Sequence, residues 1–547
     1  MSTGPAEYDA DVAIIGYGPV GAMVANLLGQ AGVRTVVLER DLAPHTIPRA
    51  GATDDEVMRV FQAVGLIDEL LPILDLGQST RFLSADGDPL VTMRPAGSHH
   101  GFPQLAFFYQ PELERVLHEG LQRYPHVSVR RGLHVEGLHD HAGGVTVWVR
   151  PAEGGAQTSV RAKYVVGCDG GRSTVRSLCG IGFGGATYAQ PWLVVDAKLE
   201  QPLESVTTFQ FIGNPDRPAV TLPLPGGHHR WEFMVLPGED HAEFASLENA
   251  ERLVSPWIED SGISILRHVV YTFHARTADR WRSGRVLLAG DAAHLMPPFA
   301  GQGLASGLRD AHNLAWKLAA VVAGNAPAAL LDSYEQERRR HVLGMTRLTR
   351  ISGALVQTRD RRVARIRDVL LRCAARSRYF TEGRFKPELR YPKGAFDGSR
   401  SRRGAGQAFP QPRVRTAQGR LLLLDELLGS GWAVIGLELD PQASLRAEHR
   451  ALWTALGAEF VTVCRPGRRP AGRRPGTTVV EDLDGYALDF FGRHGADFVV
   501  VRPDRIVFTT SSRDGLDRAS AAYRCVIAGL GAVDPATAGH EIVEVGA

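Results

Sequence analysis

The chain has few cysteines, no long apolar run and almost no excess charge, and each shortage excludes a class of protein. Its five cysteines are scattered without a C-x-x-C pair, which argues against a disulfide framework or a zinc ribbon and is typical of a reducing compartment. A net charge of +2 gives no strong field for nucleic acid or an anionic membrane. No stretch approaches the roughly 20 apolar residues of a membrane span, and no basic segment precedes an apolar one near the start. We therefore expect a cytoplasmic protein that binds neither nucleic acid nor membrane.

What the chain does have is length and an ordinary globular composition. At 547 residues it is too long for a single core, so two or three domains are expected. Hydrophobic residues make up 44% and charged residues 22% of the sequence. The adjacent pairs His99-His100 and His228-His229 have a poor spacing for sharing a metal ion, so no metal site is predicted.

Two short apolar runs near the start flank a glycine-rich turn and a helical segment. The turn contains Gly16, Gly18 and Gly21. Between a strand and a helix, a G-x-G-x-x-G pattern lets the backbone approach a pyrophosphate, which the N–H groups at the helix start then face. Glu39 ends the second run, 18 residues after Gly21, where its carboxylate is placed for a ribose. The sequence predicts a dinucleotide site, the alternative being a plain tight turn with a solvated Glu39.

Two further motifs lie far away in the sequence but belong with this turn. Residues 168–176 carry an Asp-Gly turn after an apolar run, and residues 290–303 carry Gly-Asp, Pro-Pro and Gly-x-Gly in that order. Each alone is weak, because an Asp-Gly pair is a common turn and a Pro-Pro pair stiffens any loop. The order and spacing of all three indicate one flavin held by distant parts of the chain.

The hydrophobic pattern changes at about residue 186, and the composition changes at about residue 386. From about 186 to 280 short strand-like runs alternate with turns, which favours an antiparallel sheet that covers a substrate cavity. Residues 386–420 are rich in Gly, Pro, Ser and Arg and are interpreted as a linker. Residues 421–547 alternate strands and helices, and the basic loop 465–474 within them is interpreted as a solvated insertion.

The chain resembles the FAD-dependent aromatic hydroxylases, the single-component class A flavoprotein monooxygenases. Within that class it is most similar to the 3-(3-hydroxyphenyl)propionate hydroxylases and to related hydroxylases that tailor polyketides and ansamycins. Besides the three motifs, the resemblance rests on residues 48–50, 54–62, 110–114, 230–234, 307–318 and 501–505.

The resemblance implies an α/β fold class with a Rossmann-like FAD-binding domain, an interleaved antiparallel-sheet substrate domain and a C-terminal thioredoxin-like α/β domain. Because that last part has no C-x-x-C, it is expected to be a structural or interface domain without dithiol chemistry. The expected boundaries are 1–80 with 105–185 and 281–385 for the FAD-binding domain, 81–104 with 186–280 for the substrate domain, 386–420 for the linker and 421–547 for the thioredoxin-like domain.

The resemblance also implies the cofactor-binding residues. The glycines of the first motif would hold the FAD pyrophosphate, Glu39 the ribose and Asp291 the ribityl chain, with Pro298 as a rigid wall beside the isoalloxazine. Backbone N–H groups at 301–304 would stabilise a reduced, anionic flavin. The full set is Gly16, Gly18, Gly21, Glu39, Arg40, Arg49, Gln110, Asp169, Gly170, Asp291, Pro298, Gly301, Gly303 and Leu304.

For catalysis the resemblance points to Pro298, Arg230 and Arg49. Arg230 suits a substrate carboxylate, although it can equally pair with Glu232 on the same strand face. Many family members carry Asn where this chain has Ala305, so one side-chain hydrogen bond near the flavin or substrate is expected to be missing. The candidates to line the substrate pocket are Tyr109, Tyr188, Trp192, Phe211, Arg230, Phe233 and Phe299.

The implied reaction is a monooxygenation of a small aromatic substrate. NADH or NADPH reduces FAD, reduced FAD reacts with O2 to a C4a-hydroperoxide, and this delivers one oxygen to an electron-rich phenolic ring. No second glycine-rich βαβ unit is present, which fits transient binding of the nicotinamide, and a monomer or homodimer is expected. The alternatives are a Baeyer–Villiger insertion or N-hydroxylation of a polyketide or antibiotic, a non-oxygenating FAD oxidoreductase, and a flavin-binding scaffold without turnover.

Overall fold

The computed structural model describes residues 8–529 except 45, 96, 98, 259–261, 384–385, 387, 399–402 and 469–473. The chain divides into two compact units, which are described separately. The first consists of Met1–Ala315 and Arg338–Glu388, and the second of Trp316–Glu337 and Leu389–Ala547. Part of the expected linker, part of the basic loop and residues 530–547 of the expected C-terminal domain lie outside the described residues.

The strands of the first unit pair into sheets of eight, seven, three and three members. In chain order they are β1 (Ala10–Ile15), β2 (Thr35–Leu38), β3 (Ala52–Thr53), β4 (Leu74–Leu76), β5 (Thr80–Leu83), β6 (Pro89–Met93), β7 (Ala106–Phe108), β8 (Val127–Arg130), β9 (Leu133–His141), β10 (Gly144–Pro151), β11 (Thr158–Gly167), β12 (Phe183–Thr187), β13 (Trp192–Leu199), β14 (Phe209–Ile212), β15 (Ala219–Leu224), β16 (His228–Met234), β17 (Ile263–Tyr271), β18 (His274–Ala278), β19 (Arg282–Ser283), β20 (Val286–Leu288) and β21 (His294–Leu295).

The strands of the second unit form one sheet, and helices occur in both units. The strands are β22 (Arg413–Thr416), β23 (Leu421–Leu423), β24 (Ala433–Leu437), β25 (Glu459–Cys464), β26 (Thr477–Asp482), β27 (Phe498–Val501) and β28 (Val507–Ser511). The helices are α1 (Pro19–Gln30), α2 (Asp55–Ala63), α3 (Ile67–Leu70), α4 (Gln110–Gly120), α5 (Thr174–Leu178), α6 (His241–Phe244), α7 (Leu247–Val254), α8 (Gln302–Val322), α9 (Asp332–Val356), α10 (Arg361–Ala374), α11 (Arg378–Thr381), α12 (Pro441–Ser444), α13 (Ala447–Ala455), α14 (Tyr486–His494) and α15 (Leu516–Val526).

A parallel sheet carries the predicted dinucleotide motif. Its central order is β20-β11-β1-β2-β8, and these neighbours all run parallel. The strands β10 and β9 extend β11 as an antiparallel hairpin. All six residues of β1 are buried, as expected of a central parallel strand. The carboxyl ends of β1, β2, β11 and β20 lead into the turns that hold the three sequence motifs, so the Rossmann-like prediction is confirmed.

A seven-stranded sheet forms the second layer of the first unit. Its order is β17-β13-β16-β15-β14-β5-β6, and its pairs are antiparallel except for β14 with β5. The antiparallel sheet predicted over 186–280 is thus confirmed. Strand residues alternate between faces, so one face of this sheet supplies a core of its own. Residues of the other face, including Phe211 and Val220, form a second apolar cluster and also line a cavity.

Buried charges join the start of α2 to α8. Asp54 accepts hydrogen bonds from the side chains of Gln302 (3.1 Å) and Lys386 (2.9 Å), and Arg309 donates to both Asp54 and Glu56 at 2.5 Å. Burial alone would raise the pKa of the two carboxyls, but Arg309 and Lys386 outweigh it. They hold the pKa of Asp54 well below its usual range and lower that of Glu56 to about 2. The network fixes the first turns of α8, which border the site.

The second unit is built on a mixed sheet in the order β23-β22-β26-β25-β24-β27-β28. Its central strands β24, β25 and β26 run parallel, with antiparallel β27 beside β24. Residues 403–420, expected to belong to a linker, instead contribute β22 and the fully buried Phe409. A composition rich in Gly, Pro and Arg does not reveal such tertiary partners. The thioredoxin-like assignment of this unit stays a prediction.

A buried ionic cluster organises the second unit. The Glu337 carboxylate accepts two hydrogen bonds from Arg502 (2.7 and 2.9 Å), one from Lys317 (2.8 Å) and one from the Ala395 N–H (2.7 Å). The ionic side chains are completely buried. Each charge therefore depends on its partners, since an unpaired ion in such a place is costly.

Across the described part of both units, no helix is sufficiently long and apolar to span a membrane.

Replacing Arg309 tests the ionic network of the first unit. Arg309→Met leaves the buried Asp54 and Glu56 carboxylates without their main partner, so we expect the free energy of unfolding to fall by about 3–5 kcal/mol. Urea unfolding followed by circular dichroism measures this. The matched control is Arg365→Met on the exposed side of α10, expected within about 0.5 kcal/mol of the unmodified protein. Equal stability of the two variants would contradict the network's role.

The same network predicts an acid limit to stability. Because the pKa of Glu56 is lowered to about 2 from an ordinary 4.5, its contribution is complete above pH 4.5 and is lost as the pH falls towards 2. In unfolding curves measured between pH 7 and 3, the midpoint urea concentration should therefore decrease once the pH is below about 4.5. Glu56→Gln, already destabilised at pH 7, should lose less over that interval, whereas the exposed Glu251→Gln control should follow the unmodified protein. Parallel curves for all three would count against this assignment.

Candidate functional site

The glycine turn between β1 and α1 has no room for side chains at two of its positions. Gly16 has a φ of +100°, and a Cβ there would lie 2.6 Å from the Cys168 carbonyl oxygen. A Cβ at Gly21 would overlap the Gly16 carbonyl oxygen, whereas Gly18 faces open space just before the first residue of α1. The turn therefore lets backbone, rather than side chains, border the space in front of the helix start.

A cavity of about 190 Å³, which we call the turn cavity, opens beside this turn. Glu39 lies in it at the end of β2, and its carboxylate accepts hydrogen bonds from the N–H groups of Tyr17 (2.6 Å) and Asp41 (2.9 Å). The His118 ring stacks on Tyr17 at 4.0 Å, and burial lowers the pKa of His118 to about 4. The remaining predicted residues in its lining are Gly16, Gly18, Arg40, Arg49, Asp169 and Gly170.

The second motif forms the far wall of the turn cavity. Asp169 accepts hydrogen bonds from the Ser173 hydroxyl (2.5 Å) and the Val175 N–H (3.0 Å), so its carboxylate is committed to the start of α5. Burial raises the pKa of Asp169 against these hydrogen bonds. Gly170, with a φ of +79°, borders open space and contributes to both cavities of the site. Asp169 thus shapes the wall, and Gly170 leaves it open.

A larger cavity of about 300 Å³, which we call the sheet cavity, lies between the turns and the seven-stranded sheet. The predicted residues Arg49, Gln110, Asp291, Pro298 and Leu304 line it. The Asp291 side chain is exposed to this cavity, and partial loss of hydration among the surrounding residues raises the pKa of its carboxyl, while His294 and Arg49 oppose that shift. Its other lining residues are Gly18, Pro19, Val20, Ala50, Gly51, Ala52, Cys168, Gly170, Phe209, Phe211, Val220, Leu222, Arg230, Glu232, Ala289, Leu295, Met296, Phe299, Gly301 and Gly303.

The start of α8 is held rigidly at the sheet cavity. The Pro298 carbonyl accepts a hydrogen bond from the Gly301 N–H (2.8 Å), and Gly301 adopts a φ of +62° just before the helix begins. Further along α8, Asp310 accepts hydrogen bonds from His294 (2.6 Å) and Arg338 (2.8 Å). His294 is therefore a structural residue. The first turn of α8 presents the positive end of a long helix to the cavity.

Gln110 supports the loop that separates the two cavities. Its side-chain oxygen accepts hydrogen bonds from the N–H groups of Arg49 (2.8 Å) and Ala50 (2.7 Å), and its amide donates to Glu114 (2.6 Å). The exposed side chain of Arg49 borders both the turn cavity and the sheet cavity. Gln110 thus acts through the backbone of this loop, while Arg49 is a cation that lines both cavities.

Arg230 differs most from its sequence-based interpretation. Its guanidinium donates to Asp196 through Nε (2.6 Å) and Nη2 (3.3 Å), and to the carbonyls of Arg49 (2.8 Å) and Pro48 (2.8 Å). The partner on the sheet is Asp196 rather than Glu232. Because these bonds occupy the donors that a carboxylate would need, Arg230 is a positioning residue at the cavity wall.

The aromatic candidates divide into three groups. Phe211 and Phe299 line the sheet cavity, and Trp192 packs edge-on behind Phe299 at 5.5 Å between ring centroids. Phe233 faces the opposite side of the sheet and belongs to the core there, because it is one residue out of phase with the cavity face. Tyr109 and Tyr188 also lie outside the lining. Tyr109 stacks on His228 at 3.7 Å, and the Tyr188 N–H donates to the Phe273 carbonyl at 2.9 Å.

Sequence reasoning missed most of the cavity wall. Phe209, Val220, Leu222 and Met296 line it without having been expected, and so does Glu232, which was considered only as a partner for Arg230. Period-two alternation along β16 was the available signal, since it places Glu232 on the same face as Arg230. Alternation alone does not say which face of a strand meets a cavity.

Known proteins share both the site-bearing region and the remainder of the chain. A family model described as FAD binding domain matches residues 9–349, and one described as HcaD C-terminal domain matches residues 406–526. The chain is 42% identical over 533 residues to 3-(3-hydroxy-phenyl)propionate/3-hydroxycinnamic acid hydroxylase 2 of Burkholderia vietnamiensis, covering 94% of this chain and 96% of that protein.

Solved structures of flavin enzymes have the same architecture. The anhydrotetracycline hydroxylase OxyS from Streptomyces rimosus is 28% identical, with a TM-score of 0.73 and coverage of 95% of this chain and 99% of that one. Aklavinone-11 hydroxylase, solved with FAD and aklavinone, is 24% identical with a TM-score of 0.76 and the same coverage, and this likeness concerns the fold. The glycine turn that excludes side chains, the family match and the extent of the 42% identity agree. The chain belongs to the FAD-dependent aromatic hydroxylases and is an FAD-dependent monooxygenase.

Proposed function

We propose that this monooxygenase hydroxylates a small, single-ring phenol held in the sheet cavity, with NADH or NADPH as reductant and O2 as co-substrate. The observation that carries the proposal is the composition of that cavity. It joins Asp291, Pro298 and the start of α8 to an aromatic wall made by Phe209, Phe211 and Phe299. The named activity of the 42%-identical relative, on hydroxyphenylpropionate and hydroxycinnamic acid, supports the same class of substrate.

The size of the cavity favours one ring over several. Its volume of about 300 Å³ lies at the lower end of the range for ligand pockets, about 300–1,000 Å³. In this proposal the flavin ring takes part of that space. The space that remains suits a monocyclic phenol better than a tetracyclic substrate such as the named substrate of OxyS. Its apolar wall would also keep water away from the reacting ring.

The turn cavity is proposed to take the adenosine and pyrophosphate of FAD. The absence of room for a Cβ at Gly16 and Gly21 supports this fit, because the backbone there can approach a phosphate closely. Gly18 and the start of α1 would supply N–H groups, with Asp169 and Gly170 opposite. The Glu39 carboxylate, oriented by the Tyr17 N–H, would accept a hydrogen bond from a ribose hydroxyl, and Arg40 lies beside it in the lining.

The flavin end is proposed to lie between Arg49 and the start of α8. When bound, FAD would accept electrons from NAD(P)H and would supply the chemistry that transfers one oxygen atom of O2 to the substrate ring. Asp291 would accept hydrogen bonds from the ribityl chain, and Pro298 would limit the position of the ring. The Gly301 N–H is bonded to the Pro298 carbonyl, so the N–H groups of Gln302, Gly303 and Leu304 would face negative charge at the positive end of α8. Gln110 and Arg230 would hold the Arg49 loop in place.

The domain boundaries, cellular location and assembly are also proposed. The five free thiols support a reducing compartment, and hence the cytoplasm. The chain would work as a monomer or homodimer. The proposed boundaries are 1–80 with 105–185 and 281–385 for the FAD-binding domain and 81–104 with 186–280 for the substrate domain. The linker would begin at 386 and end before Arg413, where β22 begins, so the thioredoxin-like domain would start there rather than at 421 and run to 547.

A single added methyl group tests the proposed FAD turn. In Gly21→Ala the new Cβ overlaps the Gly16 carbonyl oxygen, and such overpacking costs about 1–3 kcal/mol. We expect FAD to bind about 5- to 150-fold more weakly, which flavin fluorescence during titration of the apoprotein measures. The matched control is Gly344→Ala within α9, where a Cβ meets open space. FAD affinity equal to that of the control would argue against this turn as the cofactor site.

Turnover with a panel of phenols tests the proposed function itself. The FAD-loaded protein is given NADH or NADPH, O2 and phenols from 3-(3-hydroxyphenyl)propionate to naphthoquinone and ansamycin aromatics. We expect nicotinamide oxidation stimulated by monocyclic phenols and a product heavier by one oxygen, with a new ring hydroxyl shown by mass spectrometry and NMR. Oxygen inserted elsewhere would indicate Baeyer–Villiger or N-hydroxylation chemistry. No oxygenated product despite bound FAD would reject the proposal.

A further inference from the structure

Glu232 is an acidic side chain on the apolar wall of the sheet cavity. It lies on β16, where its Cα pairs with Val194 of β13 on one side and Val220 of β15 on the other. Two neighbouring strands therefore hold its backbone rigidly. Its side chain lines the cavity together with Phe211 and Leu222. Partial loss of hydration in such surroundings costs a carboxylate free energy, whereas it would stabilise an apolar side chain.

The Glu232 carboxylate has no hydrogen bond or ion pair with any residue that the structure describes. The charged groups that act on it are Arg230 on its own strand, Asp196 on β13 and Arg267 on β17. Both arginines bind Asp196, with Arg230 at 2.6 Å, so Asp196 rather than Glu232 is their carboxylate partner. Glu232 is half-buried and lines the sheet cavity, so its carboxylate is open to a group bound there.

Burial and the neighbouring Asp196 raise the pKa of Glu232, while Arg230 and Arg267 oppose the shift. A raised pKa makes a carboxylate a stronger base, closer to the pKa of about 10 that is ordinary for a phenol. Arg49 and Asp291 are the other charged side chains that line this cavity. The side chain is thus placed and tuned to exchange a proton with a bound ligand.

We propose that the Glu232 carboxylate binds the phenolic hydroxyl of the substrate and takes its proton as oxygen is transferred to the ring. This rests on the proposed hydroxylation of a phenol in the sheet cavity. The O–H bond of the phenol breaks, a new O–H bond forms on Glu232, and the electron pair stays on the substrate oxygen, which makes the ring more electron-rich. The oxygenated carbon then gives up its C–H proton, which ends in the water formed from the second oxygen atom. As the ring becomes aromatic again, Glu232 returns its proton to the phenolic oxygen.

The charges around Glu232 accommodate this proton transfer. Before it, two arginines (Arg230 and Arg267) face two carboxylates (Asp196 and Glu232), and the group is neutral. Once Glu232 holds the proton, the group carries one net positive charge beside a negatively charged phenolate. The transfer therefore moves a negative charge from Glu232 to the substrate oxygen without leaving an unbalanced charge in the cavity wall.

Glu232→Gln tests the proposal because it keeps the shape but cannot take a proton. At pH 7 we expect kcat/KM for hydroxylation of 3-(3-hydroxyphenyl)propionate to fall about 100-fold, mostly in kcat. FAD affinity and the flavin absorption spectrum should not change. The matched control is Glu251→Gln, an exposed carboxylate on α7, whose kcat/KM should stay within about 2-fold of the unmodified protein.

The pH profile separates a proton acceptor from a merely structural residue. The unmodified enzyme should lose kcat/KM as the pH falls through the raised pKa of Glu232. Glu232→Gln should lack that acid limb, and its rate should instead rise towards pH 10 as the free phenol ionises. Profiles of the same shape for both enzymes would overturn the proposal, and so would a variant that changes the flavin spectrum but keeps the rate of hydroxylation.

A binding measurement on the unmodified enzyme covers the case in which Glu232→Gln does not fold. The FAD-loaded protein should bind 3-(3-hydroxyphenyl)propionate at least about 10-fold more tightly than 3-phenylpropionate, because the latter leaves the carboxylate unpaired. Equal affinities would overturn the proposal. If the unmodified enzyme makes no hydroxylated product, the proposed function fails, whereas normal hydroxylation by Glu232→Gln rejects only the role of Glu232.

Discussion

The buried guanidinium of Arg230 is the interaction on which the geometry of the site depends. It joins Asp196 on the seven-stranded sheet to the carbonyls of Pro48 and Arg49, which belong to the loop between the two cavities. Gln110 holds the same loop from the opposite side. A guanidinium spreads its N–H donors over three nitrogens in one plane, so it can bind both oxygens of a carboxylate and two separate carbonyls, whereas the donors of a lysine all lie on one nitrogen. The position of the loop between the cavities therefore depends on Arg230 from one side and on Gln110 from the other.

The nucleotide end of the site was predictable because its constraints are local. Gly16 and Gly21 are needed where backbone atoms approach each other within a few residues or across adjacent parallel strands. Strand, turn and helix signals surround them in the sequence, and the two later motifs follow β11 and β20 of the same sheet. Where a turn has no room for a side chain, the requirement for glycine is directly visible in the sequence.

The substrate wall was less predictable because its pairings are distant. Arg230 and Asp196 are 34 residues apart, and only the register of β13 with β16 brings them together. Phe233 was assigned to the wall for its aromatic ring, but a shift of one residue places it in the opposite core. The same limit applies to the linker expected over 386–420. Composition does not show that Phe409 is buried there, because its burial depends on strands far along the chain. Composition records the residue type, and register decides which face it occupies.

The polar groups around the sheet cavity divide into fixed and available ones. Asp310 anchors α8 through His294 and Arg338, while Asp196 holds Arg230, so these charges are neutralised within the protein. Within the described residues, the charged side chains left open to the cavity are Arg49, Asp291 and Glu232. A site whose supporting charges are already paired does not reorganise when charge moves between ligand and protein. The chemistry then falls to the few groups whose partners the fold does not supply.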